Sequence, residues 1–137
     1  MKINQLTIFV ENRTGHLSEI TELLGKNNID MKALSIADTK EFGILRVIVN
    51  DVEKAREILS AQGIICKITQ VVEVKISDKP GELSSVLSVL SKNGVGVDYL
   101  YAFLSGDKDG ANVVIKATDN DAAEKILNDA GFKTING

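Results

Sequence analysis

Two loops hold the residues whose types and spacing could do chemistry: Asn12-Arg13-Thr14-Gly15-His16-Leu17 and Asp78-Lys79-Pro80-Gly81-Glu82-Leu83. In each, a glycine stands just ahead of a stretch with helical spacing of apolar residues. A helix N-terminus presents unpaired N–H groups and a partial positive charge, a setting suited to a carboxylate. Gly15 and Gly81 allow close approach by a ligand or a neighbouring backbone. Pro80 fixes its own φ and stiffens the second loop. The same residues also have ordinary structural readings. Asp78 to Gly81 suits a stiff turn that caps a helix. Arg13 reads either as a carboxylate clamp or as a solvated loop arginine, and His16 either as a ligand contact or as an exposed helix-start side chain.

Other chemistries lack their residues. His16 has no second histidine with which to hold a metal, and no Ser-His-Asp arrangement emerges. There is no Gly-Lys-Ser or Gly-Lys-Thr Walker sequence, and Gly94-Val95-Gly96 follows a helical stretch rather than a strand. Cys66 is the lone cysteine, so no internal disulfide forms; between Ile65 and Lys67 it reads as a small, partly buried filler. Aromatic residues are 4% of the chain, too few to stack a large planar cofactor. The residues therefore imply no catalytic set, no metal and no cofactor.

The elements that must position the two loops come from an internal repeat. A shift of 66 places Gly15-His16-Leu17-Ser18 on Gly81-Glu82-Leu83-Ser84, Leu24 on Leu90, and Lys26-Asn27 on Lys92-Asn93. After a two-residue slip, Asp51, Ala55, Ile58, Leu59 and Gly63 meet Asp119, Ala123, Ile126, Leu127 and Gly131. The slip falls between Ala37 and Gly43, opposite Leu104 to Gly110, and marks an exposed turn. Each copy opens with a strand pattern (Leu6, Ile8, Val10; Val72, Val74, Ile76) and continues into an amphipathic helix. Extended segments follow at Ile29 to Ala37 and Val95 to Leu104, then β-branched strands at Ile44 to Val49 and Asn112 to Ala117. Second helices begin with capping-box patterns, Asn50 with Glu53 and Thr118 with Asp121, and end at Gly63 and Gly131. Short strands at Ile64 to Ile68 and Phe132 to Ile135 close the copies.

The order βαββαβ, twice, is the split βαβ arrangement. The expected fold class is α+β: two ferredoxin-like domains, residues 1–69 and 70–137, each an antiparallel four-stranded sheet with both helices on one face. Halves of about 65 residues without disulfide or metal are marginal alone, so the copies are expected to pack together. Tyr99, Tyr101 and Phe103 fall on one strand face and Leu100, Ala102 and Leu104 on the other, with the pattern silent on which meets the helices. Either way an apolar sheet face remains for a partner, which suggests a homodimer.

The whole chain has 137 residues, 44% hydrophobic and 26% charged, with a formal charge of −3. That balance argues against nucleic acid and against an anionic membrane surface. No apolar run is long enough to span a bilayer. With one cysteine, the reading is cytoplasmic.

Asp78-x-Pro-Gly-x-Leu, the βαββαβ order, and Asn93-Gly94-Val95 leading into the second strand resemble the ACT domain family of regulatory modules that sense amino acids. The first copy keeps the glycine and leucine but lacks the proline, while Asn28-Ile29-Asp30-Met31 is similar to the family's second strand. The resemblance covers essentially the whole chain. It implies a non-catalytic regulatory protein that binds a small-molecule amino acid where the loop of one domain faces the second strand of a neighbouring one. On that basis the candidate residues are Asn12, Arg13, Thr14, Gly15, His16, Leu17, Asn28, Ile29, Asp30, Met31, Asp78, Lys79, Pro80, Gly81, Glu82, Leu83, Val95, Gly96, Val97, Asp98 and Tyr99. Asn12, Asp30, Asp78 and Asp98 are the acceptors such a ligand's ammonium would use, although Asp30 and Asp98 also suit solvated strand ends. Ligand binding would shift the packing of the domains. The alternative is an interaction module that docks on a metabolic enzyme without a ligand of its own.

Overall fold

Apolar alternation in the strands and one apolar stripe per helix give each copy a sheet covered on one face. The computed structural model describes residues 2–39, 41–104 and 110–134. Along the chain come β1 (Lys2–Glu11), α1 (His16–Lys26), β2 (Met31–Asp38), β3 (Phe42–Val49), α2 (Val52–Ala61) and β4 (Cys66–Ser77). Then follow α3 (Glu82–Lys92), β5 (Val97–Ala102), β6 (Gly110–Ala117), α4 (Asn120–Asp129) and β7 (Lys133–Thr134). The chain divides into residues 4–69, and residues 70–137 together with residues 1–3. The α+β class, with ferredoxin-like βαββαβ order, is what the sequence pattern implied.

In the first unit β3 lies between β1 and β2, antiparallel to both, with Leu6 opposite Val47 and Leu34 opposite Val47 from the other side. The Phe9 amide donates to the Ile65 carbonyl at 2.9 Å, which brings the segment entering β4 alongside β1. Leu6, Ile8 and Val10 point from β1 into a core with Ile20, Leu24, Leu45, Val47, Ala55 and Leu59. In the second unit β6 lies between β5 and β4, and β7 pairs with β4. Its core joins Val74, Val113 and Ile115 to Val86, Leu90, Ala123 and Leu127. Leu100 packs into that core, so the face bearing Tyr99 and Tyr101 turns away from α3 and α4. Those two rings stack on each other at 6.5 Å between centroids.

Three expectations change. The closing strand of copy one and the opening strand of copy two are one strand, β4, with no linker between Ile68 and Val72. Thr69, Gln70 and Val71 are compatible with extended backbone, and nothing among them breaks a strand. The caps of α2 and α4 are not Asn50 and Thr118 but the next residues. The Asp51 carboxylate accepts from the Lys54 amide and the Asp119 carboxylate from the Ala122 amide, each at 3.1 Å. Asn50 and Thr118 instead reach the chain ahead of β2 and β5, accepting from the Asp30 and Gly96 amides at 2.9 and 3.1 Å. Asn28 is not strand: at φ 58 it ends α1 in the left-handed conformation that Gly94 adopts after α3. Asparagine is one of the few residues with a side chain that visits this region. The expected turn opposite the first slip, at residues 105–109, and the end of the last strand at Ile135 lie outside the described residues.

Candidate functional site

Gly15 starts α1 in the left-handed region, φ 90, and supplies no capping side chain. Gly81 does the same for α3 at φ 87, so Asp78 is not the cap that its spacing suggested. Both loops thus turn in the same way, but their side chains diverge. His16 is 5% exposed, not a solvated helix-start residue, because its ring folds back over the end of β1. There His16 Nδ1 accepts from the Glu11 amide at 2.6 Å. Arg13 is neither free nor purely solvated. Its Nη1 and Nη2 fork onto the two Glu19 oxygens at 3.2 and 2.9 Å, and Nε donates to Glu11 at 2.8 Å. The guanidinium holds both carboxyls below the usual carboxylate range, first by hydrogen bonding and then by charge. Glu19 and Glu11 in turn raise the guanidinium's own pKa.

This network borders a cleft of about 610 Å³ inside the first unit. Phe9 and Phe42 form an edge-to-face pair, 5.3 Å between centroids at 79°, and line it with Ile64 and Ile65. Asn12, Arg13, His16 and Glu41 add polar groups, and Gln62 and Gly63 at the end of α2 complete the rim. The volume is in the usual range for small-molecule sites. Of the lining residues, the sequence pattern singled out only Asn12, Arg13 and His16. Phe9 and Phe42 carry the one signal that could have found more: two of the chain's four phenylalanines fall on strand positions beside the loop.

The equivalent hollow in the second unit holds about 230 Å³ and is lined by Lys75, Ile76, Ser77, Glu82, Gly131, Phe132 and Lys133. Lys75 stands where the first copy has Phe9, and Glu82 where it has His16. Gly110 is opposite Ser77 as Phe42 is opposite Glu11. A Cβ at Gly110 would collide with the Ile76 carbonyl oxygen, which bars a phenylalanine there.

The other candidate residues lie elsewhere. Asn28, Ile29, Asp30 and Met31 lead from the far end of α1 into β2, an 11-residue helix away from Asn12 to Leu17, or about 16 Å at 1.5 Å per residue. The same separation holds between Asp78 to Leu83 and Val95 to Tyr99. Within either unit, loop and second strand do not meet. Asp98 is paired with Lys116 Nζ at 3.3 Å. Ile29 and Val95 are buried in their cores. Among the described residues no group of three or more His, Cys, Asp or Glu could hold a metal. Burial raises the Cys66 thiol's pKa, partly offset by a hydrogen bond with Ser60, which marks it as packing rather than nucleophile.

Residues 1–134 match the family described as an ACT domain pair. The chain belongs to that family. This ACT domain pair is 39% identical to protein BT0572 from Bacteroides thetaiotaomicron, whose crystal structure superposes with a TM-score of 0.92 over 98% of this chain and 92% of that one. It is 25% identical, over 143 aligned positions, to the acetolactate synthase small subunit of Bacillus subtilis (strain 168), covering 95% of this chain and 83% of the relative. The regulatory subunit of aspartate kinase from Thermus thermophilus, in its ligand-free form, shares the fold at 13% identity, with a TM-score of 0.66 and coverage of 96% and 95%.

Proposed function

We propose that this ACT domain pair is a non-catalytic regulatory protein that binds an α-amino acid and conveys that state to a metabolic enzyme. The match of residues 1–134 to the ACT domain pair carries the reading. The Bacillus relative, named as the small subunit of a synthase, supplies the kind of partner. Binding acts by population shift: a ligand that prefers one conformation of the pair raises its population, and an enzyme that prefers the same conformation responds. Exposed Ile36 and Leu104 offer apolar contact area for that enzyme or for a second copy of the chain in a cytoplasmic homodimer.

Thermal unfolding of the purified chain against each of the twenty amino acids tests the reading. A ligand at 100 times its Kd adds about 2.7 kcal/mol, and in a chain this size the midpoint rises by several degrees. A rise with one amino acid or a related group supports a sensor. No rise with any, together with co-purification of a catalytic subunit, favours the second reading, a docking subunit without a ligand of its own. That reading too draws on the small-subunit relative.

A further inference from the structure

The loop that fits the ACT signature borders the smaller hollow, and the divergent loop borders the larger cleft. We propose that the cleft at Phe9, His16 and Phe42 is the amino-acid site, that it binds one ligand per chain, and that it selects a zwitterion with an apolar side chain. This rests on the amino-acid-binding reading above.

Polarity orients the ligand. At this edge of the first unit α1 begins with His16 and α2 ends at Gln62 and Gly63, both ends lining the same cleft. The partial positive end of one helix dipole and the partial negative end of the other border a single space, which suits a carboxylate and an ammonium on one small molecule. His16 supplies the donor. Because Nδ1 accepts from the Glu11 amide, it carries no proton, and the imidazole proton is on Nε2. The ring is buried, and its remaining N–H is the group a ligand carboxylate would satisfy. Arg13 does not compete for that carboxylate, since Glu11 and Glu19 occupy its fork. The pairing also neutralises Glu11, which would otherwise repel the ligand at the same rim. The Glu41 carboxylate and the end of α2 are left to receive the ammonium. Phe9, Phe42, Ile64 and Ile65 form the wall against which the ligand side chain packs.

The repeat supplies an internal control. At the same place the second copy has Lys75 for Phe9, Glu82 for His16 and Gly110 for Phe42, with about 230 Å³ in place of about 610 Å³. It keeps Ile76 and Phe132 as apolar lining but lacks the Phe9–Phe42 pair and the histidine donor, and it presents a carboxylate where the first copy presents an N–H.

Isothermal titration of the full chain with L-leucine, L-phenylalanine and L-aspartate is the test. Expected is binding of L-leucine or L-phenylalanine at one per chain, weakened at least tenfold by Phe42→Ala and by His16→Gln, and changed less than twofold by Lys75→Ala and Lys133→Ala. Phe42 is half-buried on a strand, so its truncation keeps the test valid if His16→Gln fails to fold. Two ligands per chain, preference for L-aspartate, or affinity that withstands Phe42→Ala would overturn this site while leaving an amino-acid-binding protein. Failure of all twenty amino acids to bind would overturn both this site and the amino-acid-binding reading on which it rests.

Discussion

Arg13 shows how one side chain can look like a ligand clamp and act as a loop brace. It ties Glu11, the last residue of β1, to Glu19 in the first turn of α1, and so fixes the path between strand and helix on which His16 depends. Both carboxyls have pKa values depressed in the folded state. The stability they contribute is therefore fully present above the unfolded carboxylate pKa, about 4.3, and is lost as pH falls through the folded values. Arg13→Gln should lower the unfolding midpoint at pH 7, with the gap to the parent chain closing below about pH 4. The effect is modest because the pairs are solvent-exposed, and high salt should shrink it. Melts across pH and salt check this; a gap that persists unchanged at pH 3 would show that Arg13 acts through packing instead.

Between the elements, the repeat keeps function and side chain in step even where residue types differ. Asn50 and Thr118 each accept from the amide ahead of the second strand of their copy, and Asp51 and Asp119 each cap the helix that follows. A Cβ at Gly96 would come 3.2 Å from the Thr118 methyl, a tight contact that Thr118 would have to relieve by a few tenths of an ångström. Asp51→Ala and Asp119→Ala should each cost about 1 kcal/mol, the usual loss for a capping carboxylate. Asn50→Ala, which removes one bond to Asp30 and one to the Asn28 carbonyl, should cost a similar amount, about 1–2 kcal/mol, without affecting helix capping. Denaturant midpoints measure all three. If Asn50→Ala behaved as a cap loss while Asp51→Ala were silent, the assignment of caps would be reversed.

At the scale of the molecule, β4 is the element that a division into two domains overlooks. Its first residues serve the core of residues 4–69 and its later ones pair with β6 and β7. A chain cut after Thr69 would leave Cys66 to Thr69 as a frayed end. About 65 residues without a disulfide or metal bury too small a share of their surface for ample stability. A fragment of residues 1–69 should therefore give a broad, low-temperature circular dichroism melt, while the full chain melts cooperatively. A sharp fragment transition at the temperature of the full chain would show that the first unit stands alone.

Much of this was legible from residue order. The period-2 and helical patterns, the glycines at 63, 94 and 131, and the 66-residue repeat are local signals, each fixed by a few neighbouring residues and by backbone sterics. They were enough for the fold and for the family. The cap positions were off by one residue because a Ser, Thr, Asn or Asp can bond either its own helix or a nearby strand, and only the neighbouring chain decides between them. Burial of His16 and the occupation of Arg13 depend on which carboxylates and amides the fold brings within 3 Å. The cleft is the furthest from sequence: Phe9, His16, Phe42 and Ile65 lie on four separate segments. No spacing rule links them. They share a wall because antiparallel pairing sets Glu11 opposite Phe42 and the Ile65 carbonyl beside the Phe9 amide, and that is decided only when the sheet closes.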